Sequence, residues 1–87
     1  MSTVETTEKW LKCFIDKGMF SDEVAVTYPA QGAHRKSVFV PRDIVSGNVG
    51  SVGKVRVQII GERGNLMAVL PSAARDIVAV SDQDVTT

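Results

Sequence analysis

Ser2-Thr3-Val4-Glu5-Thr6-Thr7-Glu8-Lys9-Trp10-Leu11-Lys12-Cys13-Phe14-Ile15-Asp16-Lys17-Gly18 carries the pattern on which the expected fold class turns. Val4, Leu11, Phe14 and Ile15, with Trp10 beside them, recur at helical spacing and make one apolar stripe. Ser2 and Glu5 have the spacing of a capping box, in which each side chain satisfies a free backbone N–H. Glu5 and Glu8 stand near the positive end of a helix dipole and Lys17 near the negative end. Gly18 supplies a left-handed stop, with Met19 placed to pack back on Phe14. These signals predict a helix over about 3–17.

Beyond Phe20 the period changes from helical to twofold. Glu23–Tyr28 alternates with Val24, Val26 and Tyr28 on one side, and Lys36–Val40, Lys54–Ile60, Leu66–Leu70 and Ile77–Val80 continue the pattern. The chain holds fourteen valines, a residue that is stiff at its first torsion and favours the pleated sheet. Pro29, Pro41 and Pro71 mark strand ends, since proline cannot donate to a ladder. Ala30-Gln31-Gly32-Ala33 and Glu62-Arg63-Gly64-Asn65 read as hairpin loops. The expected fold is therefore α+β and a single domain over 1–87. An N-terminal amphipathic helix precedes a five-stranded, mostly antiparallel barrel-like sheet, with the β-rich part spanning 23–81.

The tetrapeptide Arg-Asp-Ile-Val occurs at 42–45 and again at 75–78, each time after a strand that ends in an apolar residue and proline. Two units, about 23–45 and 54–78, can be laid over one another as a duplicated half-barrel with a pseudo-two-fold axis. The stretch Arg63-Gly64-Asn65-Leu66-Met67-Ala68-Val69-Leu70-Pro71 resembles the swapped-hairpin DNA-binding domains of antitoxins and transition-state regulators. Lys36–Ile44 is faintly similar to the same pattern. That resemblance implies a dimer whose basic loops bind DNA. The sequence departs from it after Pro71, where the family's leucine-bearing helix and Gly-Asp turn are missing. The whole layout looks like small uncharacterised bacterial proteins with an SH3-like or related barrel, some carried on mobile gene cassettes. The likeness is architectural and brings no activity with it.

Composition excludes several classes. Eighty-seven residues are too few for two ordinary domains, and 44% hydrophobic content with no net charge is not a disordered composition. One cysteine cannot make an internal bridge, and it points to a reducing cytoplasm. No apolar run reaches the ~20 residues of a membrane span. The N-terminus is acidic and polar, unlike a signal peptide. Zero net charge hides a segregation. Positions 34–75 carry seven cations against two acids, whereas both flanks are acidic.

Chemical motifs are sparse. Gly47-Asn48-Val49-Gly50-Ser51-Val52-Gly53-Lys54 is glycine-rich but fails as a phosphate loop. Asn48 stands where the first glycine belongs, Val55 replaces Ser or Thr, and a strand follows where a helix is needed. Cys13 would need His34 as its base, and nothing in the spacing brings them together. One His and one Cys are too few for zinc. Asp82 and Asp84 fit a terminal helical turn capped by Ser81. No enzyme activity, cofactor or metal is predicted. The expected function is a protein-interaction module that works as a homo-oligomer through Trp10, Leu11, Phe14, Met19 and Phe20. The alternative is a nucleic-acid-binding regulator that uses Arg35, Lys36, Arg42, Lys54, Arg56 and Arg63.

Overall fold

The computed structural model describes residues 7–30, 35–71 and 76–87. It corrects the fold class. The chain is mostly β, a curled antiparallel half-barrel, and Thr7–Lys17 is a strand of eleven residues where a helix was expected. Among the described residues eight strands occur where five are expected: β1 Thr7–Lys17, β2 Glu23–Tyr28, β3 Lys36–Pro41, β4 Val45–Ser46, β5 Val52–Glu62, β6 Asn65–Val69, β7 Ile77–Val80 and β8 Val85–Thr86. The capping-box residues Ser2 and Glu5 lie outside the described part.

The reason is visible in β1 itself. Leu11, Cys13 and Ile15 alternate inward and are buried, while Trp10, Lys12, Phe14 and Asp16 alternate outward. Positions 10, 11, 14 and 15 lie on one face of a helix, but 11, 13 and 15 lie on one face of a strand. Long-range pairing decides between them. The strand β5 pairs with β1 from Thr7↔Ile59 to Phe14↔Val52, and β2 and β8 take parts of its other edge. Tertiary pairing of this extent overrides local propensity.

The sheet order is β3-β2-β1-β5-β6-β7, with β4 on β5 and β8 on β1. That order is palindromic, and the registers show why. Leu11, Cys13 and Ile15 on β1 correspond to Val55, Val57 and Ile59 on β5. Val24, Val26 and Tyr28 correspond to Leu66, Ala68 and Leu70, and Val38 and Val40 to Val78 and Val80. Each half then makes a short 3-10 turn, Arg42–Ile44 or Asp82–Asp84, and a two-residue strand. That strand crosses to the other half's long strand, Val45 pairing with Val55 and Val85 with Leu11. The duplication is real in the backbone, but not in the register of the repeated tetrapeptide. Arg42–Val45 corresponds to Asp82–Val85, while Ile77 and Val78 belong to β7 and Arg75 lies outside the described residues.

A pseudo-two-fold axis passes between Leu11 and Val55, which are both equivalents and direct cross-strand partners. It leaves the molecule between Lys36 and Asp76, also equivalents, whose Nζ and Oδ1 stand 3.1 Å apart. The ion pair thus spans the place where the two ends of the curled sheet meet. Between these points lies one core of thirteen buried residues contributed by both halves. Gly53 allows the crossing of β4. A Cβ there would meet the Ser46 carbonyl and the Ile15 side chain.

Candidate functional site

The outer face of the sheet at the pseudo-axis carries the strongest concentration of chemistry among the described residues. Pairing of β1 with β5 sets Trp10 opposite Arg56 and Lys12 opposite Lys54, all on outward positions. Lys54 Nζ lies 5.9 Å from the centroid of the Trp10 ring, and the Arg56 guanidinium carbon lies 5.8 Å from it. Both are within cation–π range, so the indole lies against two cations of β5. Arg56 also holds Glu8, with Nε 3.2 Å from Oε1. Among the described residues, no ion pair engages Lys12 or Lys54. Like charges directly opposite on one face of a sheet repel. Two residues along β1, Phe14 takes the Arg35 guanidinium over its ring at 5.8 Å. Arg35 is anchored through Nε–H donation to the Pro29 carbonyl.

Flanking this centre are two clefts related by the same pseudo-axis, where neighbouring strands part along the long strands. One, of about 320 Å³, is lined by Glu8, Ile44, Arg56, Leu70 and Pro71 among others. Its counterpart, of about 230 Å³, is lined by Lys12, Pro29, Ala30, Val52 and Asp84. Each cleft is lined by one cation, Lys12 corresponding to Arg56, but Asp84 stands in one where Ile44 stands in the other. Tyr28 donates its hydroxyl proton to Asp84 Oδ2 at 2.7 Å and accepts the Ser81 N–H. The equivalent residues Leu70 and Ile44 are apolar. Burial raises the Tyr28 pKa, with the Asp84 hydrogen bond and charge adding to the rise and the Ser81 N–H opposing it.

Of the cations predicted from sequence, the structure brings Arg35, Lys54 and Arg56 onto this aromatic face. Lys36 is occupied by Asp76. Arg42 sits in its 3-10 turn beside Asp22 and Asp43, and Arg63 lies at the β5–β6 turn. Lys12 was missed, since as part of a helix it has no reason to meet Lys54. Of the predicted interface residues, Leu11 is wholly buried, and Trp10 and Phe14 stand among cations. Met19 and Phe20 are 74% and 67% exposed in the β1–β2 turn, so the expected contact of Met19 with a helical stripe has no helix to form on.

Other candidates have local roles. The glycine loop docks on β1, Gly50 donating its N–H to the Ile15 carbonyl and Ser51 accepting from Ile15. Cys13 is buried and its thiol is pushed up to about 12 by burial, far from the range of a nucleophile. His34 lies outside the described residues. Asp82 accepts the Gly64 N–H with both carboxylate oxygens, and Ser81 makes no side-chain cap on its turn. No helix of the described residues is long and apolar enough to cross a membrane. No family model, curated protein or solved structure matches the chain.

Proposed function

We propose that the outer face of β1 and β5 binds single-stranded nucleic acid, with Trp10 as the stacking ring and Lys12, Lys54 and Arg56 as the phosphate contacts. The observation that carries this reading is the placement of two β5 cations against one indole, with Lys12, which no ion pair engages among the described residues, on the next cross-strand row. Stacking on an aromatic ring beside a positive track is how sheet surfaces take single strands without sequence readout. Phe14 with Arg35 extends the track along β1. The lysine pair costs the fold repulsion that a bound phosphate would relieve. Of the residues expected to carry a homo-oligomer, Trp10, Leu11, Phe14, Met19 and Phe20, Leu11 belongs to the core, while Met19 and Phe20 stay exposed in the β1–β2 turn. The setting proposed is the cytoplasm, where the lone thiol stays reduced.

Trp10 is the only tryptophan, so its fluorescence reports the site directly. Titration with a short oligothymidylate at low salt is expected to quench it. With three phosphates neutralised on a single strand, affinity falls roughly 20-fold between about 50 and 200 mM salt. A spectrum that does not respond at low salt, with the protein folded, sinks the proposal.

A further inference from the structure

The outer faces of the two halves are not alike, and the C-terminal one is built as an uncharged sheet surface. Its two cross-strand rows are Ile60–Met67–Ala79 and Gln58–Val69–Ile77. Met67 is 40% and Ile77 56% exposed. The equivalent rows of the N-terminal half are Asp16–Ala25–Phe39 and Phe14–Thr27–Ser37, with a carboxylate and a hydroxyl pair 2.6 Å apart. A flat apolar partner laid on that half would bury Asp16. The same C-terminal face on another molecule carries no such charge and can receive it.

The charge order along β5 supports this occupant. Its outward residues run Arg56, Gln58, Ile60, Glu62. Two copies stacked with their β5 strands antiparallel place Glu62 of each over Arg56 of the other, beside the Glu8 that Arg56 already holds, and Ile60 over Gln58, so that dimer and nucleic acid compete for Arg56. The rim is then charge-complementary around an uncharged centre, which is what an isologous contact requires, because a two-fold axis sets each patch against itself. We propose that the chain forms a two-fold dimer by packing the outer faces of β5, β6 and β7 against one another as a sheet-on-sheet contact. Contacts of this small size are weak, so the dimer is concentration-dependent.

The test is sedimentation of the full chain without nucleic acid from about 1 to 100 µM, the range in which small interfaces dissociate. The expected mass climbs from 9.4 kDa toward twice that value and stops there. Ile77→Asp is expected to abolish the rise. Glu62→Arg, a fully solvent-facing change that keeps the fold, raises the dissociation constant at least about tenfold by setting cation against cation. Phe39→Asp, on the other half, leaves the dimer intact. A mass that stays monomeric throughout overturns the proposal. So does a dimer that survives both Ile77→Asp and Glu62→Arg, or one lost only in Phe39→Asp. Mass that grows without a limit points to head-to-tail assembly and overturns it too.

Discussion

The two halves share a backbone plan and almost nothing on their outward positions. Inward, Leu11, Cys13 and Ile15 match Val55, Val57 and Ile59 in being buried, and Val38 and Val40 match Val78 and Val80 residue for residue. Outward, the N-terminal half is polar with a protruding apolar turn at Met19-Phe20. The C-terminal half is apolar with a tight turn at Arg63-Gly64 that Asp82 holds. The shared inward pattern keeps one core, and the divergent outward pattern leaves the two faces chemically different. At the pseudo-axis neither half suffices: Trp10 and Lys12 come from one, and Lys54 and Arg56 from the other.

The largest effect tests whether the halves are one folding unit. Leu11 and Val55 meet on the axis and are both fully buried. Leu11→Ala is expected to cost about 2–5 kcal/mol, with Val55→Ala below it, since each leaves a cavity in close-packed surroundings. Urea unfolding followed by circular dichroism and by Trp10 fluorescence should give coincident single transitions in both variants. Separate transitions would mean that each half holds its own core.

Next in size is the binding centre. Lys54→Ala and Arg56→Ala are each expected to weaken oligonucleotide affinity by about 1 kcal/mol or more and to shallow the salt dependence by nearly one phosphate. Arg42→Ala and Arg63→Ala, which lie away from the aromatic rings, should change it little. Equal losses at all four positions would mean a diffuse charge effect with no built site.

How much of this was legible in the sequence depends on the element. Strands β2, β3, β6 and β7 are read within a residue of their ends, because one face is buried and alternation is clean. The strand β1 is not, because Trp10 and Phe14 put large apolar groups on its outer face, and the combined inner and outer set mimics a helical stripe. The same mimicry hides the site. A helical Lys12 has no cross-strand neighbour, and a helical Trp10 is a seam residue with no cations beside it. The repeat was sensed through an identical tetrapeptide, yet the true equivalence, Arg42–Val45 with Asp82–Val85, preserves only the valine. Backbone symmetry survives where inward size is kept, and local identity is a poor guide to it.

The Tyr28–Asp84 hydrogen bond, whose carboxylate lines the N-terminal cleft, is a smaller contrast. Tyr28→Phe removes a donor to Asp84 and an acceptor for Ser81, and should cost about 1–2 kcal/mol. Installing the other half's solution, Tyr28→Leu with Asp84→Ile, should cost less than the two single changes together, because the second removes the acceptor that the first strands. The pH dependence has a defined sign. Tyr28 and Cys13 both hold their protons more tightly in the folded chain, Cys13 titrating near 12 against an ordinary 9.0. Their contribution is complete below about pH 9 and is lost as the pH rises toward 12. A denaturation midpoint that stays level between about pH 8 and 10.5 would contradict the burial of both groups.

The smallest effect concerns the lysine pair on the axis. Lys12 and Lys54 face each other directly, a placement that costs a few tenths of a kcal/mol in a sheet. Neutralising one, Lys12→Gln, removes that repulsion and keeps a polar side chain only one atom shorter. Melting temperature should therefore rise slightly, by an amount that shrinks as salt is added, while oligonucleotide binding weakens. The two readouts move in opposite directions only if the repulsion is kept for a ligand. Had Lys12 been an ordinary surface cation, its loss would leave stability unchanged. A loss of stability together with binding would instead mean that Lys12 supports the fold, through the cleft it lines with Asp84.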